Sequence, residues 1–181
     1  MYCYARSLHG LQKVHSHVGY EPSGAKFNAF VLNDNLLPHN PMINAGAMMV
    51  TSLLHKGKEP AERFENILKT LNKIAGIDEE ASRNNELEKD DMIKFDNSVY
   101  LSEKHHADRN ISLAYYMRGS GAYGEPKPTP SEIQDSLDLY FQTCSVEINS
   151  MIGSRMAGTL ANGGINPITG EQVFDVNTTR D

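Results

Sequence analysis

Residues 60–76 are the segment of the sequence that most constrains the fold. Their apolar residues recur at intervals of three and four, which is the spacing of one face of an amphipathic helix. Pro60 suits the first helical position, and Gly76 suits the residue after the helix, where a left-handed backbone is common. The pattern therefore predicts a helix that packs one side against the rest of the protein.

Residues 129–144 predict a second helix, because Thr129-Pro130-Ser131-Glu132 combines a capping box with a proline at the first helical position. The apolar stripe behind this signal consists of Ile133, Leu137, Tyr140, Phe141 and Cys144. Weaker patterns predict further helices at residues 1–9, 11–18, 41–55, 97–119 and 150–162. The expected fold class is mainly α.

Residues 38–47 join a helix start to a polar side chain. Asn40 suits an N-cap and Pro41 suits the first helical position, which would place Asn44 one turn inside a helix. Gly46 beside it would leave room for a ligand. We interpret Asn44 as a candidate binding residue, and a buried asparagine that serves only the local backbone is the alternative.

Composition and charge argue against several classes of protein. The net charge is −6 and basic residues form no stripe, which argues against a nucleic-acid partner. No apolar run approaches the ~20 residues of a membrane span. Cys3 and Cys144 lie far apart, which favours a reducing compartment over a disulfide framework. The seven histidines show no metal-site spacing, so we predict no metal site.

Residues 78–96 hold eight acidic and three basic side chains, which together contribute −5 to the net charge of −6. With so little apolar surface to bury, this segment is predicted to be a solvated, flexible loop. An acidic docking surface is the alternative interpretation.

Glu103, Asn110 and Tyr140 are further polar positions on predicted helices. Glu103 and Asn110 are seven residues apart, so on one continuous helix they would lie within ~20° of the same face. Asp108 is a candidate helix cap between them, and a break at Ala107-Asp108 would change that geometry. Taken alone, Glu103 could be a surface charge and Tyr140 a core residue.

Six separated blocks of the chain resemble, in order, the motifs of the glutaminase family, closest to the animal kidney and liver forms. The blocks are Glu21-Pro22-Ser23-Gly24 with Phe27-Asn28, Pro38 to Ala47, Asp108-Arg109-Asn110, Leu137 to Gln142 with Cys144-Ser145, Leu160 to Gly164, and Pro167-Ile168-Thr169-Gly170. Together they span nearly the whole chain.

The resemblance implies the helical part of a β-lactamase/transpeptidase-like α+β domain. Such an enzyme hydrolyses the side-chain amide of L-glutamine to L-glutamate and ammonia through a serine acyl-enzyme, without a cofactor. The family's substrate-binding positions match Asn44, Glu103, Asn110 and Tyr140. The resemblance also implies a homo-oligomer, a homotetramer in the animal forms. The location it implies is mitochondrial, with the cytoplasm as the alternative.

Two parts of the family pattern do not match this chain. The family's Ser-x-x-Lys motif, which carries the nucleophile and its base, would lie upstream of residue 1, and the C-terminal sheet portion would lie beyond residue 181. Ser23 and Lys26 have the same spacing, but Pro22 and Gly24 predict a turn rather than a helix there. We therefore interpret residues 1–181 as a partial catalytic domain that binds substrate and is inactive alone.

Two other functions stay open at this stage. The chain could be a non-catalytic helical interaction module, in which the polar positions are structural and the acidic segment is the contact surface. It could also be a β-lactamase or transpeptidase relative, although Lys-Thr-Gly and Ser-Asp-Asn motifs are both absent from the sequence.

Overall fold

A computed structural model describes residues 1–78 and 91–180 of the chain. In chain order its elements are α1 (Tyr2–His9), α2 (Leu11–His15), α3 (Asn44–Leu53), α4 (Pro60–Ala75), β1 (Lys94–Phe95), α5 (Asn97–His105), α6 (Asp108–Ser120), α7 (Pro130–Cys144), β2 (Val146–Glu147), α8 (Ser150–Ala161) and α9 (Val176–Arg180). The two short strands pair antiparallel. The prediction of a mainly helical fold is confirmed.

The main core lies where α3 packs against α7, with α4 and α6 contacting the same pair of helices. Its fully buried side chains include Met49, Val50, Ile67, Leu113, Ile133 and Phe141. Burying each large apolar side chain stabilises the fold by roughly 1.5–3 kcal/mol relative to exposing it. Because α3 and α7 share this core, polar side chains at the start of α3 can reach residues within α7.

The two strongest helix predictions are confirmed at their ends. Gly76 ends α4 in the left-handed conformation, with φ 66°. At the start of α7 the hydroxyl of Thr129 accepts a hydrogen bond from the backbone N–H of Glu132 at 3.2 Å, and the Glu132 carboxylate accepts one from the N–H of Thr129 at 2.7 Å. These local signals act within a few residues, so sequence alone is enough to locate them.

The predicted helix at residues 97–119 is divided into α5 and α6. The backbone of His106 leaves the helical range, with φ −101° and ψ 22°, and the next residue, Ala107, is buried in the core. At the other end of α5 the Asp96 side chain accepts from the N–H groups of Ser98 and Val99. Burial of Ala107 thus accompanies the break, and Glu103 and Asn110 belong to different helices.

The last residues of the chain, although mostly polar, pack against the rest of the protein. Phe174 and Thr178 are buried, and α9 packs against α1. Gly164 allows this return because its φ is 86° and a Cβ there would lie 2.1 Å from the carbonyl oxygen of Phe174. A single aromatic residue in a mostly polar segment does not by itself indicate that the segment packs against the rest of the protein.

Most of the predicted acidic loop, residues 79–90, lies outside the described residues. Its last part forms β1, where Lys94 faces Glu147 and Phe95 faces Val146. None of the helices in the described part of the chain is long and apolar enough to cross a membrane.

Candidate functional site

The start of α3 differs from the prediction. The helix begins at Asn44 rather than at residue 41, so Asn44 is its first residue and not one turn inside it. Asn40 caps a preceding turn instead: its Oδ1 accepts from the N–H groups of Met42 and Ile43 at 3.0 and 3.2 Å. Residues 41–43 therefore form a turn, since the Asn40 side chain satisfies their donors before the helix begins.

Gly46 serves this turn rather than a ligand. A Cβ at Gly46 would lie 1.8 Å from the carbonyl oxygen of Asn40, so the turn folds directly onto the first turn of α3. The interpretation that Gly46 leaves room for a ligand is wrong, because the turn itself fills that space.

Asn44 and Tyr140 come together although they are 96 residues apart in sequence. The Tyr140 hydroxyl, on α7, donates to the Oδ1 of Asn44 at 2.9 Å. The Nδ2 of Asn44 donates to the Oδ1 of Asn28 at 2.7 Å. Asn44 is 3% exposed and Tyr140 is 9% exposed, so both groups are largely withdrawn from bulk water. Both oxygen and nitrogen of the Asn44 amide thus have a protein partner and retain further hydrogen-bonding capacity.

The Tyr140 hydroxyl is held in its protonated form. Burial raises the pKa of Tyr140 well above its ordinary value of 10, and the nearby Cys144 and the negative charge of Glu103 add to this effect. A hydroxyl that keeps its proton at neutral pH remains a hydrogen-bond donor.

Glu103 is an exposed residue of α5. It lies close enough to Tyr140 for its negative charge to raise the pKa of that tyrosine, although burial is the larger cause. Its neighbour Lys104 forms an ion pair with Asp138 of α7 at 2.9 Å, which ties α5 to α7. Within residues 1–78 and 91–180, Glu103 itself forms no ion pair. Its carboxylate is therefore available to a cation from solution.

Asn110 lies on α6, half-buried, with its Nδ2 4.0 Å from the sulfur of Met48. Met48 follows Asn44 by one turn of α3, so Asn110 faces the same helix. The structure thus gathers the four predicted residues around α3 and α7, with Asn44 and Tyr140 in direct contact. Their role in binding a ligand stays a prediction.

A groove of about 350 Å³ opens beside this cluster. Tyr140, Thr143 and Cys144 of α7 form part of its wall, and Ala47, Val50 and Thr51 of α3 form another part. Of the four predicted residues, Tyr140 lines this groove and the other three do not. A larger hollow of about 500 Å³, with His9 and Lys13 in its wall, contains none of the four.

Ser23 is not paired with Lys26. Its hydroxyl bonds the backbone of Ala25 within a tight turn, at 3.3 and 3.4 Å. Gly24 between them has φ 62°, which a helix does not allow. The prediction that this Ser-x-x-Lys spacing is not helical is confirmed.

Asn28 contacts the candidate site, and the sequence interpretation did not include it. Phe27-Asn28 belongs to one of the motif blocks, but the motif gives its asparagine no role. The sequence does show that two neighbouring motif blocks each contain an asparagine, Asn28 and Asn44. Spacing alone could not show that the loop folds back onto the helix start.

Comparison with known proteins gives a consistent result. A protein-family model described as Glutaminase matches residues 1–181. Putative glutaminase 3 of Caenorhabditis elegans is 44% identical over 95% of this chain and 27% of its own length. The mitochondrial liver isoform of glutaminase from Rattus norvegicus is 41% identical over 99% of this chain and 27% of its own length. Glutaminase 1 of Clostridium perfringens is 42% identical, over 93% of this chain and 50% of its own length.

Solved structures agree with these relatives. The probable glutaminase of Bacillus subtilis superposes with a TM-score of 0.78 at 27% identity, covering 99% of this chain and 52% of that one. A Bacillus glutaminase solved in 4.3 M NaCl gives a TM-score of 0.79 at 26% identity, over 99% of this chain and 54% of that one. The chain therefore has the fold of the helical part of these β-lactamase-like proteins, and it spans about a quarter to a half of its curated relatives.

Proposed function

The chain belongs to the glutaminase family, and from this we propose that it supplies the glutamine-binding side of a glutaminase. The reaction is hydrolysis of the side-chain amide of L-glutamine to L-glutamate and ammonia. The observation that supports this most directly is the hydrogen bond between Tyr140 and Asn44, which joins two family motifs 96 residues apart.

The four site residues fit the charges of the substrate. L-glutamine is a zwitterion, so the carboxylate of Glu103 can bind its α-ammonium. The amide N–H groups of Asn44 and Asn110 and the hydroxyl of Tyr140 can donate to its α-carboxylate. Tyr140, alone among the four, also lines the groove of about 350 Å³, which is of the size that binds a small molecule.

The 181-residue chain is proposed to bind L-glutamine without hydrolysing it. A serine acyl-enzyme needs a serine whose proton a nearby base accepts. Ser23 bonds its own turn and is not held one helical turn from Lys26. Ser23 and Lys26 are therefore not assigned as the nucleophile and its base.

The test is to titrate the 181-residue chain with L-glutamine and with D-glutamine by calorimetry, and to assay ammonia release in parallel. We expect saturable binding of the L enantiomer, weaker binding of the D enantiomer and no ammonia. Absence of L-glutamine binding would contradict the proposal and favour a helical interaction module. Ammonia release that Ser23→Ala abolishes would overturn the assignment of the nucleophile.

Location and assembly are separate proposals. We propose a mitochondrial location, supported by resemblance to rat and mouse liver isoforms that are named mitochondrial. We also propose a homotetramer, which only the family resemblance implies. Bacterial relatives of similar identity support the cytoplasm as the alternative location. Cell fractionation tests the location, and light scattering of the purified protein tests the number of subunits.

A further inference from the structure

The segment at Phe27-Asn28 is tied to both helices that begin near the site. The backbone N–H of Asn44 donates to the carbonyl oxygen of Phe27 at 3.1 Å, and the Nδ2 of Asn44 donates to the Oδ1 of Asn28 at 2.7 Å. From α6, the guanidinium of Arg109 approaches the carbonyl oxygen of Asn28 at 3.5 Å. Asn28 is thus held beside the first residue of α3 by backbone as well as side chain.

The amide of Asn44 could occupy two orientations related by a 180° rotation. Tyr140 alone does not select between them, because a hydroxyl can donate to the amide oxygen or accept from the amide nitrogen. An acceptor on the opposite side does select, since it attracts the nitrogen. The Oδ1 of Asn28 occupies that side, 2.7 Å from the Nδ2 of Asn44. At 3% exposure, Asn44 has little access to water as a replacement acceptor.

We propose that Asn28 is a positioning residue that fixes the orientation of the Asn44 amide, so that the second N–H of Asn44 is directed for binding the ligand. The inference rests on the proposed function, because it concerns the same ligand. Asn28 acts through Asn44: the order of donation runs from Tyr140 to Asn44 to Asn28.

The first test is a double-mutant cycle with L-glutamate, a ligand that no amide hydrolysis can consume. Dissociation constants are measured for the wild-type chain, Asn28→Ala, Asn44→Ala and the double variant. We expect Asn28→Ala to weaken binding about fivefold to tenfold, the effect of losing one oriented hydrogen bond. In the Asn44→Ala background the same change should have no further effect. Asn35→Ala, an exposed asparagine in the same loop region, is the matched control and should bind like wild type.

Two outcomes of the cycle overturn the inference and leave the proposed function intact. One is wild-type affinity in Asn28→Ala, and the other is an equal loss in the presence and absence of Asn44. Absence of L-glutamate binding by the wild-type chain would instead overturn the proposed function.

The second test needs no ligand and keeps the inference falsifiable if Asn28→Ala does not fold. The side-chain NH₂ signals of Asn44 are assigned in a ¹H–¹⁵N spectrum by their loss in Asn44→Ala. Asn28→Asp retains an acceptor oxygen, so the Asn44 signals should stay near their wild-type positions. Asn28→Leu removes the acceptor and should move them. Equal positions in Asn28→Leu and the wild type would overturn the inference.

Discussion

Two asparagines of this protein, Asn166 and Asn44, are almost completely buried, yet their surroundings differ. Asn166 is 0% exposed, and its Nδ2 donates to the carbonyl oxygen of Ile74 at 3.0 Å and to the Oγ1 of Thr159 at 3.1 Å. Its Oδ1 accepts from the backbone N–H groups of Ile168 and Thr169 at 2.8 and 3.1 Å. Every hydrogen-bonding position of this amide is used by the protein.

Only half of the hydrogen-bonding positions of the Asn44 amide have a partner in the described part of the protein. Within the described residues it accepts one side-chain hydrogen bond, from Tyr140, and donates one, to Asn28. One N–H and one lone pair remain for a ligand. The comparison shows that burial does not separate a structural asparagine from a candidate binding asparagine, whereas unused hydrogen-bonding capacity does. Changes at Asn166 should therefore affect folding, and changes at the site should affect binding.

The largest effect is expected for Asn166→Ala. The substitution removes the partner of two backbone N–H groups and one of the two side-chain donors to the Ile74 carbonyl at the end of α4. We expect the free energy of unfolding to fall by about 3 kcal/mol. Urea unfolding measures this change, with Asn35→Ala as the control. The affinity of the folded fraction for L-glutamate should be unchanged, and a loss of affinity at equal folding would contradict the comparison.

Asn44→Ala should reduce ligand affinity more than stability, which is the reverse of the result expected for Asn166→Ala. It removes a donor from the ligand, so the dissociation constant for L-glutamate should rise about tenfold, which corresponds to about 1.4 kcal/mol. The free energy of unfolding should fall by about 1 kcal/mol, because two neutral hydrogen bonds are lost while their partners lie near the protein surface or the groove. A stability loss as large as that of Asn166→Ala, with no change in affinity, would show that Asn44 is structural.

Tyr140→Phe tests the polar link between α3 and α7. Loss of the hydroxyl should lower the free energy of unfolding by about 1 kcal/mol at pH 8. The pKa of Tyr140 is raised by folding, so its contribution is complete below the unfolded pKa of about 10 and decreases as the pH rises beyond it. The difference in stability between wild type and Tyr140→Phe should therefore shrink above pH 10.

Unfolding curves at several pH values measure that difference. Partial burial also raises the pKa of Tyr123, but wild type and variant share this pH dependence, so it cancels in the comparison. A difference that grows with pH would contradict the assignment of Tyr140 as a protonated donor.

The smallest effect is expected for Glu103→Gln. Glu103 is exposed, so the stability should change by less than ~0.5 kcal/mol. If its carboxylate binds the α-ammonium, the affinity for L-glutamate should fall about threefold, and the loss should be smaller at high salt because exposed charges are screened. Lys127→Gln, an exposed charge change in the loop before α7, serves as the control. Unchanged affinity at low salt would remove Glu103 from the site.

The helices could largely be predicted from sequence, because their signals are local. The capping box at Thr129, the glycine after α4 and the apolar stripes between such ends each act over a few residues. Where local signals left the outcome open, a distant contact decided it. The division of α5 from α6 accompanies burial of Ala107 in a core made by other helices, and the C-terminal segment is ordered by contacts with α1 and by Phe174.

By itself the sequence determined the mainly helical fold and, through the order of its motifs, the resemblance to glutaminases with Asn44, Glu103, Asn110 and Tyr140 as candidates. The tertiary structure alone decided that Asn44 begins its helix, that it bonds Tyr140, and that Asn28 is its second partner. The physical reason is range: helix signals depend on neighbours within one or two turns. A hydrogen bond across 96 residues depends on how two helices share a core, which no local pattern specifies.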